Sequence, residues 1–376
     1  VRVAGRALSC AGLELVVADA TAQLVVHFAP PLTNASRPGN WVLVEGEWDG
    51  SALTSARLLS SSPGQLLPAG ESTRFSRVGA HLERCALAQR WVRRYFDQDD
   101  FVEVRTPVRV SAPDTAVYVE PHQTRQGWLI TSPEFHMKRL LVGGLPRIYQ
   151  FAACTREEES GLWHQPEFTM LEWYRAFAPM TAVMQDTFDI VSGLFEELGP
   201  PTPLGPKGLP IDLEHGFERV TVRELFHEHA GIADASELAA SDEARYFQTF
   251  VDLIEPAIAL RARPLFVTEY PRSQAALAAP CPHDPSVAER FELYVGGVEL
   301  CNGYGELTDA SEQRLRFDGD VATRRARRLP ELPIDQEFIA ALEEGMPPAA
   351  GNALGFERLL ALILGVPLAD VVAFPR

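Results

Sequence analysis

The sequence predicts an α+β protein in which a small all-β, OB-like module precedes a larger domain of interleaved strands and amphipathic helices. Three observations carry this. Five short Val- and Leu-rich runs separated by Gly, Asn, Pro or Asp fill residues 1–61. Residues 62–73 are rich in Ser, Pro and Gly and read as a linker. From 74 to 376 apolar residues recur at helical spacing in some segments and at period two in others.

The five runs are Val1 to Leu8, Leu13 to Ala18, Gln23 to Ala29, Trp41 to Trp48 and Ala52 to Leu59. Five strands of this size suit a small closed barrel. A nucleic-acid-binding barrel sets basic residues beside exposed aromatics. Here Arg2, Arg6, Arg37 and Arg57 are balanced by Glu14, Asp19, Glu45, Glu47 and Asp49, so a packing or dimer-supporting module is expected. Past the linker, Leu82, Cys85, Ala88, Val92 and Tyr95 mark a helix, followed by a strand-like run from Phe101 to Val110 that Pro107 interrupts. A second helix spans Thr181 to Leu198 and stops at Gly199, Pro200 and Pro201. A hairpin begins at Phe291, an Arg-rich helix covers Ser311 to Arg328, and a glycine-punctuated turn leads into a helix from Glu357 to Leu364. Within the Arg-rich helix, the dense basic run Arg324, Arg325, Arg327 and Arg328 reads as a solvated face.

Composition narrows the function classes. With 376 residues a sizeable core needs no disulfide or metal staple. Cys10, Cys85, Cys154, Cys281 and Cys301 form no CxxC pair and are expected to be reduced. No run approaches the roughly 18 apolar residues of a membrane span, and the first residues lack a charged-then-apolar signal pattern. A cytoplasmic protein without membrane insertion is therefore expected. The net charge of −17 opposes attraction to a polyanion, so extensive tRNA binding is not expected.

Three constellations carry chemistry. In Tyr149 to Arg175, strand, polar loop and strand follow one another, and period two sets Phe168, Met170, Glu172 and Tyr174 on one face. Arg156 and Glu158 share a face near the loop, a guanidinium suited to phosphate beside an acceptor suited to an adenine amine. An ordinary charged hairpin gives the same pattern. In Arg290 to Leu307, Gly296-Gly297 is a two-residue hairpin turn that pairs Tyr294 with Glu299 and Glu292 with Cys301. Glu292 and Glu299 then lie diagonally on one face, a repulsive arrangement unless a cation intervenes, and magnesium held with ATP phosphates is a natural one. A wet outer face is the alternative. Asn302, Tyr304 and Glu306 beyond it are candidates for an ammonium pocket unless Gly303 and Gly305 bulge the strand. In Pro347 to Gly365, Gly351, Ala353 and Gly355 allow close approach of a ligand to backbone, with Arg358 in the first helical turn. A tight strand-to-helix contact explains these glycines equally well.

Taken in order, these segments resemble the catalytic domain of a class II aminoacyl-tRNA synthetase of the lysyl type. The first motif matches DDFVEVRTP ending at Pro107, the second TREEE with His164 and Phe168, the third GNALGFERL. The texture of SPEFHMKRLL, PEFTMLEWYR, SVAERFELYVGGVELCNGYGELTDA and LPIDQ is similar to the elongation factor P–(R)-β-lysine ligases. The resemblance covers about residues 74–376 and implies a class II aminoacyl-tRNA synthetase-like antiparallel sheet flanked by helices, dimeric through the first motif.

The resemblance also implies a reaction: ATP-dependent adenylation of (R)-β-lysine or lysine, then transfer to a lysine side chain of elongation factor P. The implied ATP-binding residues are Arg156, Glu157, Glu158, His164, Gln165, Phe168, Glu299, Leu300, Gly355 and Arg358, with Arg156 and Arg358 catalytic. Glu292 and Glu299 would hold Mg2+. The implied amino-acid pocket is Ser132, Pro133, Glu134, Glu172, Tyr174, Asn302, Glu306 and Ala353, with Glu134 and Glu306 as partners of two separated amines. Alanine at 353 fits the β-lysine ligases, whereas lysyl-tRNA synthetases usually carry glycine there. Leu162, Trp163 and Gln165 depart from the basic residues and asparagine of the ligase pattern, and the amino-terminal module departs from ligases that resemble a bare catalytic domain. A short lysyl-tRNA synthetase and a non-catalytic relative are the alternatives.

Overall fold

A computed structural model describes residues 1–28, 37–67, 70–157 and 161–375. The chain divides into two compact units, residues 1–87 with 369–375, and residues 88–368. In the first, β1 (Arg2–Ala11), β2 (Glu14–Ala18), β3 (Gln23–Phe28), β4 (Trp41–Trp48) and β5 (Ala52–Ser62) close into a barrel of order β1-β2-β3-β5-β4, sealed by β1 against β4. Only β3 and β5 pair in parallel. This is the OB order, and the inward phase of each strand builds the core: Leu15, Val17, Val26, Phe28, Val42, Val44 and Leu53 are buried together. Each strand sits where its sequence run placed it, with Ala29 of the third run outside the described residues. Residues 63–67 have no regular structure, and α1 runs Glu71–Asp97, so the expected linker 62–73 is shorter than its composition suggested: Ser62 ends β5 and residues 71–73 already belong to the helix.

The second unit is built on one large sheet. Its strands are β6 (Val102–Glu103), β10 (Arg147–Thr155), β11 (Glu167–Ala176), β12 (Glu218–Thr221), β13 (Leu265–Pro271), β15 (Asp284–Val295), β16 (Val298–Gly305) and β17 (Ala349–Gly355), in spatial order β12-β13-β15-β16-β17-β11-β10-β6. Every pairing from β13 to β10 is antiparallel, and the two edge pairings are parallel. β14 (Pro280–Cys281) pairs with β15, and β7 (Arg109–Val110), β8 (Gln123–Thr124) and β9 (Gly127–Leu129) form a separate small sheet. The expected strand from Phe101 to Val110 is thus only two short pieces, β6 and β7, because Pro107 between them has no amide to donate to a ladder.

Helices α3 (Met180–Leu198) and α10 (Phe356–Leu364) cover one face of this sheet. Leu171, Trp173 and Leu354 are fully buried on that side, and Asn352 Nδ2 donates to Thr187 Oγ1 of α3 at 2.8 Å. Over the other face lie α2 (Glu134–Val142), α8 (Ala310–Ala326) and α9 (Gln336–Gly345), where Phe135, Phe317 and Phe338 pack with Tyr174. An insertion between β12 and β13 carries α4 (Val222–Ala230), α5 (Ala235–Ser241), α6 (Glu243–Thr249) and α7 (Glu255–Ile258) around Phe226, Tyr246 and Ile254.

The basic run of α8 is not wholly solvated. Arg324 is fully buried, its guanidinium donating to Pro330 O, Ala116 O and Glu120 Oε2. It anchors the loop 114–120, whereas Arg325, Arg327 and Arg328 remain exposed. No helix among the described residues is long and apolar enough to cross a membrane.

Because Trp173 is fully buried on the face covered by α3 and α10, with its ring 5.7 Å from that of Phe96, Trp173→Ala should cost about 3–5 kcal/mol. The expected readout is a lower urea midpoint of the transition reporting the larger unit. A midpoint equal to wild type would contradict this packing.

Candidate active site

The hairpin β15–β16 sets the geometry. Gly296 and Gly297 hold φ of 57° and 83°, the positive values a tight two-residue turn demands. Tyr294 faces Glu299 as the sequence implied, but Leu293 then faces Cys301, so Leu300 is an additional residue on β16. Glu292 consequently pairs with Asn302 and not with the expected Cys301. Neither Gly303 nor Gly305 interrupts the pairing. A bulge shifts the side-chain phase by one, so Glu299 comes onto the same face as Asn302 and Tyr304. An unbulged strand would turn Glu299 away from them.

That face continues across neighbouring strands in rows. One row is Gln150, Glu172, Ala353, Asn302 and Glu292, and the next is Ile148, Tyr174, Gly351, Tyr304 and Arg290. Met170 faces Gly355 in a third. The small residues of β17 form the floor. A Cβ on Gly351 would lie 2.3 Å from the Tyr174 ring and 2.8 Å from Glu306 Oε1, so glycine there makes room for the polar groups above it. This supports a close-approach role within the sheet for Gly351.

At one end stand three carboxylates. Glu172 is buried and accepts from Ser132 Oγ at 2.8 Å and Tyr174 OH at 2.7 Å. Pro133 precedes the first turn of α2, which presents Glu134. Glu134 Oε1 and Glu306 Oε2 each lie 2.5 Å from Nζ of Lys138, whose side chain is wholly buried. The two carboxylates expected to wait for ligand amines are therefore already bridged by a lysine of the chain itself. Burial, then the charge of Glu134, pushes the Glu172 carboxyl up to about 8. Burial also raises Glu306, with Lys138 opposing it.

At the other end lie two arginines. Arg156 follows β10 directly, its Cζ 5.2 Å from the centre of the Phe168 ring. Arg358, in the first turn of α10, donates to Trp163 O at 3.2 Å and Glu299 O at 2.7 Å, and its Nη2 is 3.0 Å from His164 Nε2. It ties the loop after β10 to the bulged strand. Gly355 caps α10 with extended backbone, Gln165 is half-buried in the same loop, and Leu300 is buried at the bulge. The Glu157 side chain is exposed, while its amide donates to Glu120 O. Glu158 lies outside the described residues.

Between the ends, Glu292 accepts from Tyr270 OH at 2.5 Å, Tyr294 OH at 2.6 Å and Arg290 Nη2 at 2.5 Å. Glu299 is half-buried, and partial loss of solvent around its carboxyl, then the charge of Glu292, raises it above the usual carboxylate range. A cavity of about 750 Å³ opens here, with Asp114, Arg290, Glu299, Asn302, Tyr304 and Asp320 in its wall. No cluster of three or more metal-ligating side chains occurs among the described residues.

The structure thus gathers the expected residues Ser132, Glu134, Glu172, Tyr174, Asn302, Glu306 and Ala353 at one end, and Arg156, Phe168, His164, Glu299 and Arg358 at the other. Sequence reasoning missed Lys138, Asp114, Tyr270 and Arg290. Lys138 was legible as the i+4 partner of Glu134 on a helix, and Arg290 as the period-two neighbour of Glu292. Asp114 and Tyr270 left no local signal, since each reaches the cavity from a distant segment. Chemically, the site offers guanidinium groups for an anion and carboxylates for cations along one sheet face.

Comparison with known proteins agrees with this arrangement. Residues 72–376 match the family model described as tRNA synthetases class II (D, K and N). The chain is 41 % identical over 305 residues to an elongation factor P–(R)-β-lysine ligase of Proteus mirabilis (strain HI4320), covering 76 % of this chain and 91 % of that relative. With its antiparallel sheet, its two-ended face and this match, the chain belongs to the class II tRNA synthetase family.

Proposed function

We propose that this protein is an ATP-dependent ligase that adenylates (R)-β-lysine or lysine and transfers it to a lysine side chain of elongation factor P. The observation that carries the reading is the placement of an arginine-and-aromatic end and a three-carboxylate end on one continuous sheet face. The printed name of the 41 % identical relative supports it. The amino-terminal barrel is a packing module, the short segment between β5 and α1 a linker, and the chain beyond it the catalytic domain, working as a cytoplasmic homodimer.

In this reading adenine stacks on Phe168 and Glu158 accepts its amine, with Glu157, Gln165 and Leu300 beside the nucleotide. Arg156 leaves the Phe168 ring to meet the α-phosphate, and His164, Arg358 and the backbone at Gly355 serve the distal phosphates. The substrate carboxylate attacks the α-phosphorus in line, the bond to the bridging oxygen breaks and pyrophosphate leaves. Arg156 stabilises the charge that develops there. The acceptor amine then attacks the carbonyl of the mixed anhydride and AMP departs. No protein nucleophile is needed, and positioning supplies much of the rate.

A hard divalent cation fits the carboxylates present: Glu299 opens to the cavity, its carboxyl raised by burial and by the charge of Glu292 beside it. Mg2+ there would neutralise phosphate charge. Arg290 holds Glu292 at 2.5 Å whereas Arg358 lies 3.9 Å from Glu299, so Glu299 contributes the larger share. At the other end Glu172, Tyr174, Ser132 and Asn302 receive the amines, with Glu134, Pro133 and Glu306 shaping the pocket around them. Ala353, opposite both Glu172 and Asn302, sets the depth of its floor.

The direct test is ATP–pyrophosphate exchange with L-lysine, (R)-β-lysine and (S)-β-lysine in parallel, followed by transfer to elongation factor P read by mass. Exchange with at least one isomer and a mass gain on the factor are expected. Absence of exchange with all three, or charging of tRNA in place of the factor, would overturn the reading. Arg156→Ala should lower the exchange kcat by about 10²–10³-fold. Ala353→Gly should shift the relative kcat/KM of lysine and (R)-β-lysine by about 10-fold or more, within the reach of one methyl group.

Proton linkage gives a further check. Carboxyls raised to about 8 in the folded protein, as those of Glu172 and Glu306 are, are mostly protonated at pH 7 and ionise when an ammonium arrives. Lysine binding at pH 7 should therefore release protons, with the number released falling towards none at pH 9, as measured by calorimetry in buffers of different ionisation enthalpy. The same sign governs folding. A carboxyl raised in the folded state stabilises fully below its unfolded value and loses that contribution as pH rises through about 8. The ligand-free melting temperature should accordingly fall between pH 6 and pH 9, and a flat profile would contradict the assignment.

A further inference from the structure

The pocket holds one cation of its own. Lys138 Nζ lies 2.5 Å from both Glu134 Oε1 and Glu306 Oε2, its side chain is fully buried, and it sits 6.0 Å from the centre of the Tyr304 ring. Glu172 has Ser132 and Tyr174 as its donors, both neutral. We propose that Lys138 is the specificity-determining charge of this pocket: it cancels one of three carboxylates, leaving two negative charges to be met by the two ammonium groups of a diamino acid. This deepens the proposed function and rests on it.

The count follows from which groups face one another. From α2 come Glu134 and Lys138, from β11 Glu172 and Tyr174, and from β16 Tyr304 and Glu306. Asp114 approaches Glu134 from the loop after β7, where its carboxylate accepts from the Ala116 amide and is opposed by Lys138 and, more weakly, by Arg156; it lies outside the Glu134–Lys138–Glu306 bridge. Arg290 reaches Tyr304 and is taken by Glu292. On α2, β11 and β16 together there are three carboxylates, fully ionised only once the ligand's ammonium groups arrive, and one ammonium. Without Lys138 the three carboxylates would suit a trication or hold a further proton, because like charges this close in a low-dielectric site cannot all stay ionised.

Lys138 is not itself an acceptor for the activated substrate. Burial favours the neutral amine, but Glu134 and Glu306 override that and hold the ammonium above its ordinary range. With no free lone pair and no exposed surface, it acts by fixing Glu134 and Glu306 in place and by its charge. It is a positioning residue, and its replacement has a consequence that packing alone does not produce.

Lys138→Met alone strands two carboxylates and risks misfolding, so the decisive comparison uses two variants that strand one carboxylate at most. Glu306→Gln leaves one excess negative charge, while Lys138→Met/Glu306→Gln restores two. Binding of L-lysine and of (R)-β-lysine is measured by calorimetry without ATP, and KM and kcat by pyrophosphate exchange, after melting curves confirm that both variants fold. Charge matching predicts that deleting the buried lysine in the Glu306→Gln background tightens diamine binding and lowers KM by about tenfold or more, with kcat changed much less. Equal or weaker binding by the double variant overturns the inference. Wild-type protein that neither binds nor exchanges with either amino acid overturns the proposed function itself, and that arm is read separately.

Discussion

A single additional residue, Leu300, placed between Glu299 and Cys301, governs what the sheet can present. Opposite Leu293 and Tyr294 it throws β16 out of simple alternation, and that brings Glu299 into phase with Asn302 and Tyr304. Bulges beside functional sites commonly re-aim a side chain in this way. Here the re-aimed carboxylate joins the anion-facing end to the cation-facing end on one surface. The neighbouring strand contributes little bulk, since Gly351, Ala353 and Gly355 keep the floor low. Charge and space are thus arranged by backbone before any ligand arrives.

Burial sets the electrostatic character of that surface. Arg175 joins Asp186 and Asp99, Arg324 joins Glu120, and Arg290 joins Glu292, so most buried charge near the sheet is paired within the protein. Glu172 departs from this, accepting only from neutral hydroxyls. A buried carboxylate without a fixed cation is costly unless something supplies one or it takes a proton. The raised carboxyls of Glu172, Asp114 and Asp320 express that cost, each driven first by burial. A site held in this state favours a cationic ligand because binding relieves a penalty already present in the fold.

Local patterns made much of this legible. Each barrel strand announced itself through alternating Val and Leu between turn residues, and the two glycines at 296 and 297 placed the β15–β16 turn correctly. The two face residues of β11, Glu172 and Tyr174, followed from period two alone. What failed was register. Nothing in VELCNGYG marks Leu300 as unpaired, because a bulge is decided by the partner strand and by the core beneath it. The run from Phe101 to Val110 failed for a related reason: its composition is strand-like, but Pro107 leaves too few amides for a continuous ladder. Arg324 looked like one of four equivalent surface arginines until the loop at 114–120, far away in sequence, closed over it. Lys138 was in plain view beside Glu134, yet only the fold brings Glu306 to its other side.

The account is tested most directly by a crystal structure of the protein with a non-hydrolysable lysyl-adenylate analogue. Adenine against the Phe168 ring, the phosphate mimic at Arg156, and the two amines between Glu172 and the Glu134–Lys138–Glu306 bridge are the predicted positions. Density for the amines away from these carboxylates, or an adenylate lying off the bulged face of the sheet, would contradict it.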